Sequence, residues 1–323
     1  MAKGSKREGG GIGELLAYAG DRKFLTYLGM ALSALSQLLS FGPYVCIWLV
    51  ARDLIAVAPN WSEACDIAMY GWWAVGFALA SIVAYFVGLM CTHLSAFRCA
   101  SNIRKTTSEH LLKLPLGYFD THATGELRRV VDGCAASTET LLAHMLPDIA
   151  GAAAMVVGLL VLLFALDWRL GAACLISVAI SFGAMATMMS GKGAEFMKAY
   201  MGALVKMNKT GTEYVRGIPV VKVFQQTVYS FKAFQQAIED YSNKSEYYQA
   251  KVCRVPQSIN LTFTEGAFVF LVPAALFLAP GALASGDFAG FVTNFAFYAV
   301  FSAIISTALA KIMFAASGIM LAG

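Results

Sequence analysis

Residues 67–97 read IAMYGWWAVGFALASIVAYFVGLMCTHLSAF, a run without a single Asp, Glu, Lys or Arg. A helix needs about 20 predominantly apolar residues to cross the hydrocarbon core, where backbone N–H and C=O groups find no water and must pair within the segment. Five further charge-free runs surround this one, at residues 24–51, 149–166, 170–191, 266–286 and 288–310. Only 14% of the 323 residues are charged and 58% are hydrophobic, with a mean hydropathy of +0.64. A soluble domain of this length carries charge throughout its surface, so the composition excludes one. The sequence therefore predicts an all-α membrane protein with six transmembrane helices.

The basic residues give the expected orientation. Lys3, Lys6, Arg7, Arg22 and Lys23 precede the first run, six more lie between 98 and 129, and ten between 192 and 254. If six spans alternate, all of these fall on one side, and the other side holds only Arg52 and Arg169. The positive-inside rule then places both termini and both long loops in the cytoplasm of a plasma or inner membrane. The net charge of +4 describes a face turned to anionic lipid rather than a nucleic-acid binder. The seven cysteines show no CxxC spacing and no metal pattern with His, so they read as small apolar residues, with a Cys46–Cys65 disulfide left open.

The two long cytoplasmic segments, about 95–140 and 192–254, read as helical arms rather than linkers. Phe196, Tyr200, Leu204 and Met207, and likewise Phe231, Phe234, Ile238 and Tyr241, recur at helical intervals and give each arm an apolar stripe. Each arm is expected to turn back on itself, first around Leu114–Gly125, where Pro115 and Gly117 punctuate the helix, and again around Gly211–Pro219. Struts that end in exposed Tyr, Phe or Arg offer their tips to a cytoplasmic partner; the plainer alternative is that the arms only brace the bundle.

The run LLKLPLGYFDTHATGELRRVVDG at 111–133 resembles the first intracellular loop of exporter-fold ABC half-transporters, and TEYVRGIPVVKVFQQT at 212–227 resembles the second. More weakly, AHMLPDIAG at 143–151 is similar to the siderophore-handling branch of that family. The resemblance implies a type IV transmembrane domain occupying 24–323. It would be preceded by a cytoplasmic N-terminus, 1–23, with an elbow helix near Ile12–Tyr18. It implies a partner half, identical or paralogous, and nucleotide-binding domains seated on two coupling helices. Those would be Tyr118 to Ala123 (Tyr118, Phe119, Asp120, Thr121, His122) and Glu213 to Pro219 (Glu213, Tyr214, Val215, Arg216, Gly217, Ile218). The mechanism implied is alternating access driven by ATP, possible cargoes being a siderophore or another amphipathic small molecule.

No GxxxxGK[ST] phosphate loop occurs in the sequence, since Ser190-Gly191-Lys192-Gly193 lacks the upstream glycine. The chain is therefore expected to hold no catalytic residues, no cofactor and no metal, with ATP and Mg on a nucleotide-binding domain outside it. The final run, Ile312 to Gly323, reads as a helix interrupted on its way out of the membrane, as if the chain were cut between modules. Polar residues within or beside spans are the candidates for a substrate pathway: Glu265, His144, Asp148, Lys311 and His93. Glu265 reads equally as a structural residue, and His144 and Asp148, four apart, as an interfacial pair. Two other classes remain open. A stand-alone channel or secondary carrier would show helices broken in both halves, and only Gly42-Pro43 suggests one; a membrane enzyme would need a polar cluster that His144 and Asp148 are too few to form.

Overall fold

A computed structural model describes residues 12–122, 124–224 and 228–322. The described residues contain helices and no strand. In chain order the helices are α1 Ile12–Ala17, α2 Lys23–Leu39, α3 Gly42–Ala56, α4 Ile67–Leu111, α5 Leu116–Thr121, α6 Thr124–Arg128, α7 Cys134–Thr140, α8 Leu146–Ala165, α9 Trp168–Met189, α10 Gly191–Phe224, α11 Val228–Tyr247, α12 Arg254–Glu265, α13 Leu271–Ser285 and α14 Phe288–Ala322. Wider π-turns join α6 to α7, α7 to α8 at Leu141–Met145, and α11 to α12 at Tyr248–Cys253. Five helical stretches are long and apolar enough to cross a membrane: Gly20–Ala56, Ile67–Leu111, Thr124–Ala165, Trp168–Met188 and Phe288–Ile305. The chain divides into two compact units, one from Met1–Trp168 with Leu278–Gly323, the other Arg169–Phe277.

In the first unit α2 packs on α4 and α8. Its buried stripe is small and polar, Thr26, Gly29, Ser33 and Ser36, which lets backbones come close. A Cβ on Gly29 would sit 2.7 Å from the Gly88 carbonyl oxygen, so the helices touch through their main chains there. Hydroxyls close the seam. Thr26 Oγ1 donates to Ser95 Oγ at 2.8 Å, Ser33 Oγ to the Pro147 carbonyl at 2.8 Å, and Thr92 Oγ1 to the Ala143 carbonyl at 3.1 Å. The last bond has a cause in the sequence. Pro147 has no N–H and its ring crowds the carbonyl four residues back, which is Ala143, so the helix widens into the π-turn and Thr92 takes the released carbonyl.

The short α1 and the residues after it pack on α4 and the third span. Leu16 and Ala19 are buried against Ala96, Cys99, Leu142, Ala143 and Leu146, and Asn102 Nδ2 donates to the Tyr18 carbonyl at 2.7 Å. At the other end of this unit, α14 leans on α3 and α8 through Phe41, Tyr44, Phe297 and Phe301, whose rings stack and tilt against one another.

In the second unit α10 and α11 form an antiparallel hairpin held by aromatic rings. Phe196 meets Tyr247, Tyr200 stacks on Tyr241 and Tyr248, and Tyr214 packs on Phe231 and Phe234. The expected stripes therefore contribute to the seam, although Phe231 and Ile238 are both exposed and Ala237 fills the buried position beside Ile238. The Tyr200 and Tyr241 hydroxyls lie 3.3 Å apart. Burial pushes the Tyr248 phenol up to about 12, helped by a hydrogen bond to Cys253 and by the charges of Cys253 and Tyr200.

Two expectations are corrected. The fifth span, read as 266–286, is not one helix. α12 ends at Glu265, Gly266 leaves helical geometry, and a 3-10 turn at Ala267–Val269 leads to α13, whose 15 residues rise only about 22 Å. Pro273 explains the break, since it crowds the carbonyl of Val269 and offers no N–H to it. The second coupling turn, read at Gly211–Pro219, is also absent: α10 runs unbroken through these residues to Phe224, and α11 begins at Val228. Gly211 serves packing instead, because a Cβ there would lie 3.0 Å from the Phe234 ring. Pro219 is absorbed within α10 at the cost of one hydrogen bond.

Candidate functional site

The candidate positions fall into two kinds, the tips of the arms and the polar groups at membrane depth. At the first tip α4 runs 45 residues, about 68 Å, well past any bilayer. It ends at Leu111, and Pro115 then starts the separate six-residue helix α5. Pro115 is extended (φ −65°, ψ 148°), which turns the chain before the helix begins. Tyr118 and His122, one turn apart, stack at 4.0 Å between ring centroids, and Phe119 meets Tyr118 edge-on at 5.7 Å. His122 Nδ1 lies 2.9 Å from the Tyr118 carbonyl oxygen. The stacking stiffens one face of α5, while Leu116, Phe119 and Asp120 stay exposed on the tip. Thr121 ends the helix; its side chain and Ala123 lie outside the described residues.

At the second tip Glu213, Tyr214, Val215, Arg216, Gly217 and Ile218 lie on α10 itself. Tyr214 points into the hairpin seam, whereas Glu213, Val215, Arg216 and Ile218 are exposed. Met207, Asn208, Gly211, Thr212, Val215, Arg216 and Phe234 line a hollow of about 480 Å³ on this hairpin.

Two of the five intramembrane candidates meet, and a third lies nearby on the same helical stretch. His93 on α4 meets His144 on the Leu141–Met145 π-turn edge to face, with ring centroids 4.8 Å apart, and His93 also tilts against Phe97 at 5.5 Å. Asp148 lies one turn beyond His144, close enough to Tyr85 to act on it electrostatically. Tyr85 and His93 are two turns apart on α4, so a polar seam runs along the contact of α4 with the third span. The described residues hold no group of three or more His, Cys, Asp or Glu placed to bind a metal. All seven cysteines are free, with Cys46 buried and Cys65 exposed.

Glu265 stands apart from that cluster. It is the last residue of α12, exposed, and followed at once by the break at Gly266. The opposite face of α12 is tied to α9: Ser181 Oγ and Thr264 Oγ1 are 2.6 Å apart, and Asn260 Nδ2 donates to Ser181 Oγ at 2.8 Å. Lys311 lies on α14, and its side chain is outside the described residues.

Sequence reasoning missed three polar ties. Asn260 and Thr264 with Ser181 form one. Trp48 Nε1, which donates to Asn294 Oδ1 at 3.0 Å between α3 and α14, is another. The third is Tyr298, fully buried, whose hydroxyl donates to the Leu163 carbonyl at 2.6 Å and accepts the Asp167 N–H at 3.1 Å. A partial signal was present for Trp48 and Asn294, since both are hydrogen-bonding residues near the same membrane face in the first and sixth apolar runs.

The family described as ABC transporter transmembrane region matches residues 26–309. The mycobactin import ATP-binding/permease protein IrtA of Mycolicibacterium smegmatis is 26% identical over 247 residues, covering 75% of this chain and 27% of that protein. Its counterpart in Mycobacterium tuberculosis is 25% identical over 247 residues, covering 76% and 28%. That of Mycolicibacterium thermoresistibile is 28% identical over 211 residues, covering 65% and 22%. The chain thus spans about a quarter of the length of these curated relatives.

Proposed function

This chain belongs to the ABC transporter transmembrane family, a multi-pass integral membrane protein, and on that premise we propose that it is the substrate-translocating half of an ATP-driven transporter. It pairs with a second half and with nucleotide-binding domains that carry ATP and Mg, and works by alternating access. The observation that carries the reading is α5, a separate six-residue helix held on the end of a 45-residue helix. Such a tip transmits displacement along a rigid rod, and it performs no chemistry. The exposed Leu116, Phe119 and Asp120 offer an apolar anchor with a charge beside it, a combination suited to a groove on a partner. The second contact is the outer flank of α10, with Glu213, Val215, Arg216, Gly217 and Ile218.

His93, His144, Asp148, Glu265 and Lys311 line the pathway in this reading. The three relatives are named for mycobactin import, and a mycobactin-like siderophore or other amphipathic small molecule is the cargo class we favour; the membrane is the inner one, with both termini cytoplasmic. The test places the chain with its nucleotide-binding domains in proteoliposomes and replaces Phe119 with Ala. ATP hydrolysis persisting while uptake of the cargo falls at least about tenfold is the expected outcome, because losing a buried aromatic anchor costs about 2 kcal/mol or more. Uptake that survives F119A together with removal of Leu116 sinks the assignment of α5 as the docking tip.

A further inference from the structure

In the first unit a groove opens between α4 and α8, over the bend that joins α2 to α3. It encloses about 410 Å³, with Leu38, Val45, Leu49, Trp73, Phe77 and Val161 among its walls and no charged side chain. Phe41, buried at the bend, lies against Gly158 of α8, and Phe77 of α4 lies against Gly42; a Cβ on either glycine would collide with those rings. Leu38, Trp73, Phe77 and Val161 stay exposed, so the groove is open along one side.

The tryptophans fix its depth. Trp61 between α3 and α4, Trp72 near the start of α4 and Trp168 beyond α8 are all exposed, and they mark one membrane interface. Leu49 lies about 10 Å along α3 from its end at Ala56, and Leu38 is about 16 Å further down. The groove thus descends through one leaflet from just beneath the interface. Its volume over that length gives a section of roughly 25 Å², one hydrocarbon chain wide. At about 30 Å³ for each methylene, the volume a water molecule takes in the liquid, it holds about 14 carbons. An apolar cavity stays dry, and the solvent available at this depth is acyl chain.

The mouth of the groove selects a headgroup. Arg52 and Asp53 stand one turn beyond Leu49 on the same side of α3. Arg52 Nε and Nη2 both donate to Asp53 Oδ1 at 3.2 Å, and the guanidinium lies 5.3 Å from the centre of the Trp48 ring. That leaves further guanidinium N–H groups for a ligand, and both side chains remain partly exposed. The pair presents both signs of charge and no net charge. A zwitterionic headgroup satisfies both, phosphate on Arg52 and ammonium on Asp53, whereas a purely anionic one gains at Arg52 and is repelled at Asp53.

We propose that this groove is a binding site for one phosphatidylethanolamine molecule, with an acyl chain between α4 and α8 and its headgroup on the Arg52–Asp53 pair. The inference goes beyond the translocation reading and needs only the membrane depth of these helices.

The probe is phosphatidylethanolamine carrying a diazirine in one acyl chain, added in trace amount to the full chain in phosphatidylcholine nanodiscs and cross-linked by light. Mass spectrometry then maps the adducts. Saturable labelling at Val45, Leu49 and Val161, displaced by unlabelled phosphatidylethanolamine at least about tenfold more effectively than by phosphatidylglycerol, is the expected result. Val83 and Phe86, exposed on another face of α4, report the ordinary lipid annulus, and both lipids displace their labelling equally. Val161→Trp fills the groove and abolishes its labelling, while Val157→Trp, exposed one turn earlier on α8, leaves it unchanged. Asp53→Asn frees Arg52 as a lone cation and moves the preference to phosphatidylglycerol. The elution profile of each variant reports whether it folds. Groove labelling displaced equally by both lipids, or surviving Val161→Trp in a folded protein, overturns the proposal. Displacement by an iron-loaded siderophore but not by phosphatidylethanolamine overturns it in favour of a cargo site.

Discussion

Replacing Tyr298 with Phe removes one oxygen and tests how the third span ends. In a regular helix the Asp167 N–H would donate to the Leu163 carbonyl, four residues back. The Tyr298 hydroxyl stands between them, accepting the Asp167 N–H at 3.1 Å and donating to Leu163 at 2.6 Å, with the Asp167 carbonyl oxygen 3.0 Å away. The hydroxyl is thus the bridge of an opened helical hydrogen bond, supplied by α14 to the last turn of α8. Two limits bracket its worth. Leaving a buried donor and acceptor unpaired costs about 1–3 kcal/mol, whereas hydrogen bonds between membrane helices average about 0.6 kcal/mol. Partial closure of the Asp167–Leu163 gap recovers some of the loss, which puts Y298F at about 1–1.5 kcal/mol. Tyr298→Ala adds a cavity beneath Phe297 and Phe301 and raises the cost to about 3–5 kcal/mol. Unfolding by SDS titration from mild detergent measures both variants. A Y298F midpoint equal to wild type, alongside a clear loss in Y298A, refutes the bridging role and leaves the ring as the whole contribution.

Gly29→Ala forces a Cβ to 2.4 Å from Thr92 Cγ2 and 2.7 Å from the Gly88 oxygen, and since the second contact is backbone the helices must part, costing about 1–3 kcal/mol in the same titration. Gly71→Ala, with nothing within 4 Å, is the control and is neutral or stabilising. Pro147→Ala restores an N–H that competes with Thr92 for the Ala143 carbonyl, closing the π-turn and rotating His144 away from His93; disulfide formation between cysteines placed at 93 and 144 reports it as a drop in yield. The raised Tyr248 phenol is neutral in the fold beyond its ordinary 10.0, so its contribution is complete below pH 10 and disappears as pH rises through about 12. Ultraviolet titration detects a late-ionising tyrosine, and Tyr248→Phe removes it.

Class and most spans were legible because absence of charge over 20 or more residues has few other physical causes, and the arm seams because Phe196, Tyr200, Phe231, Phe234 and Tyr241 keep helical spacing. Ile238 failed since a stripe fixes a face only to within a residue, and Ala237 won the buried position. The meeting of His93 with His144 was not legible: the two lie 51 residues apart, and their contact depends on how α4 crosses the third span. Gly211–Pro219 was read as a turn because Gly and Pro punctuate chains. An isolated glycine costs a helix only about 1 kcal/mol, and the aromatic packing of Tyr214 against α11 exceeds that.

The irregularities that position the candidate groups share one cause that is written in the sequence. Pro43, Pro147, Pro256 and Pro273 each stand four residues after a site where regular helix fails. Leu39 is the last residue of α2, Ala143 and Val252 lie within π-turns, and Val269 lies in the 3-10 turn between α12 and α13. A proline disturbs the carbonyl at i−4, so its effect appears one turn before it. The fifth span reads as beginning at Gly266 because Glu265 is the last charged residue before that run, a criterion that does not see a proline's effect one turn before it. In membrane the freed carbonyls must find new donors. Thr92 supplies one at Ala143, and each such donor ties two helices together at the point where one has loosened. His144 and Glu265 both sit within one turn of these points. The same backbone chemistry that deforms the spans thus decides which polar side chains leave the regular helical faces.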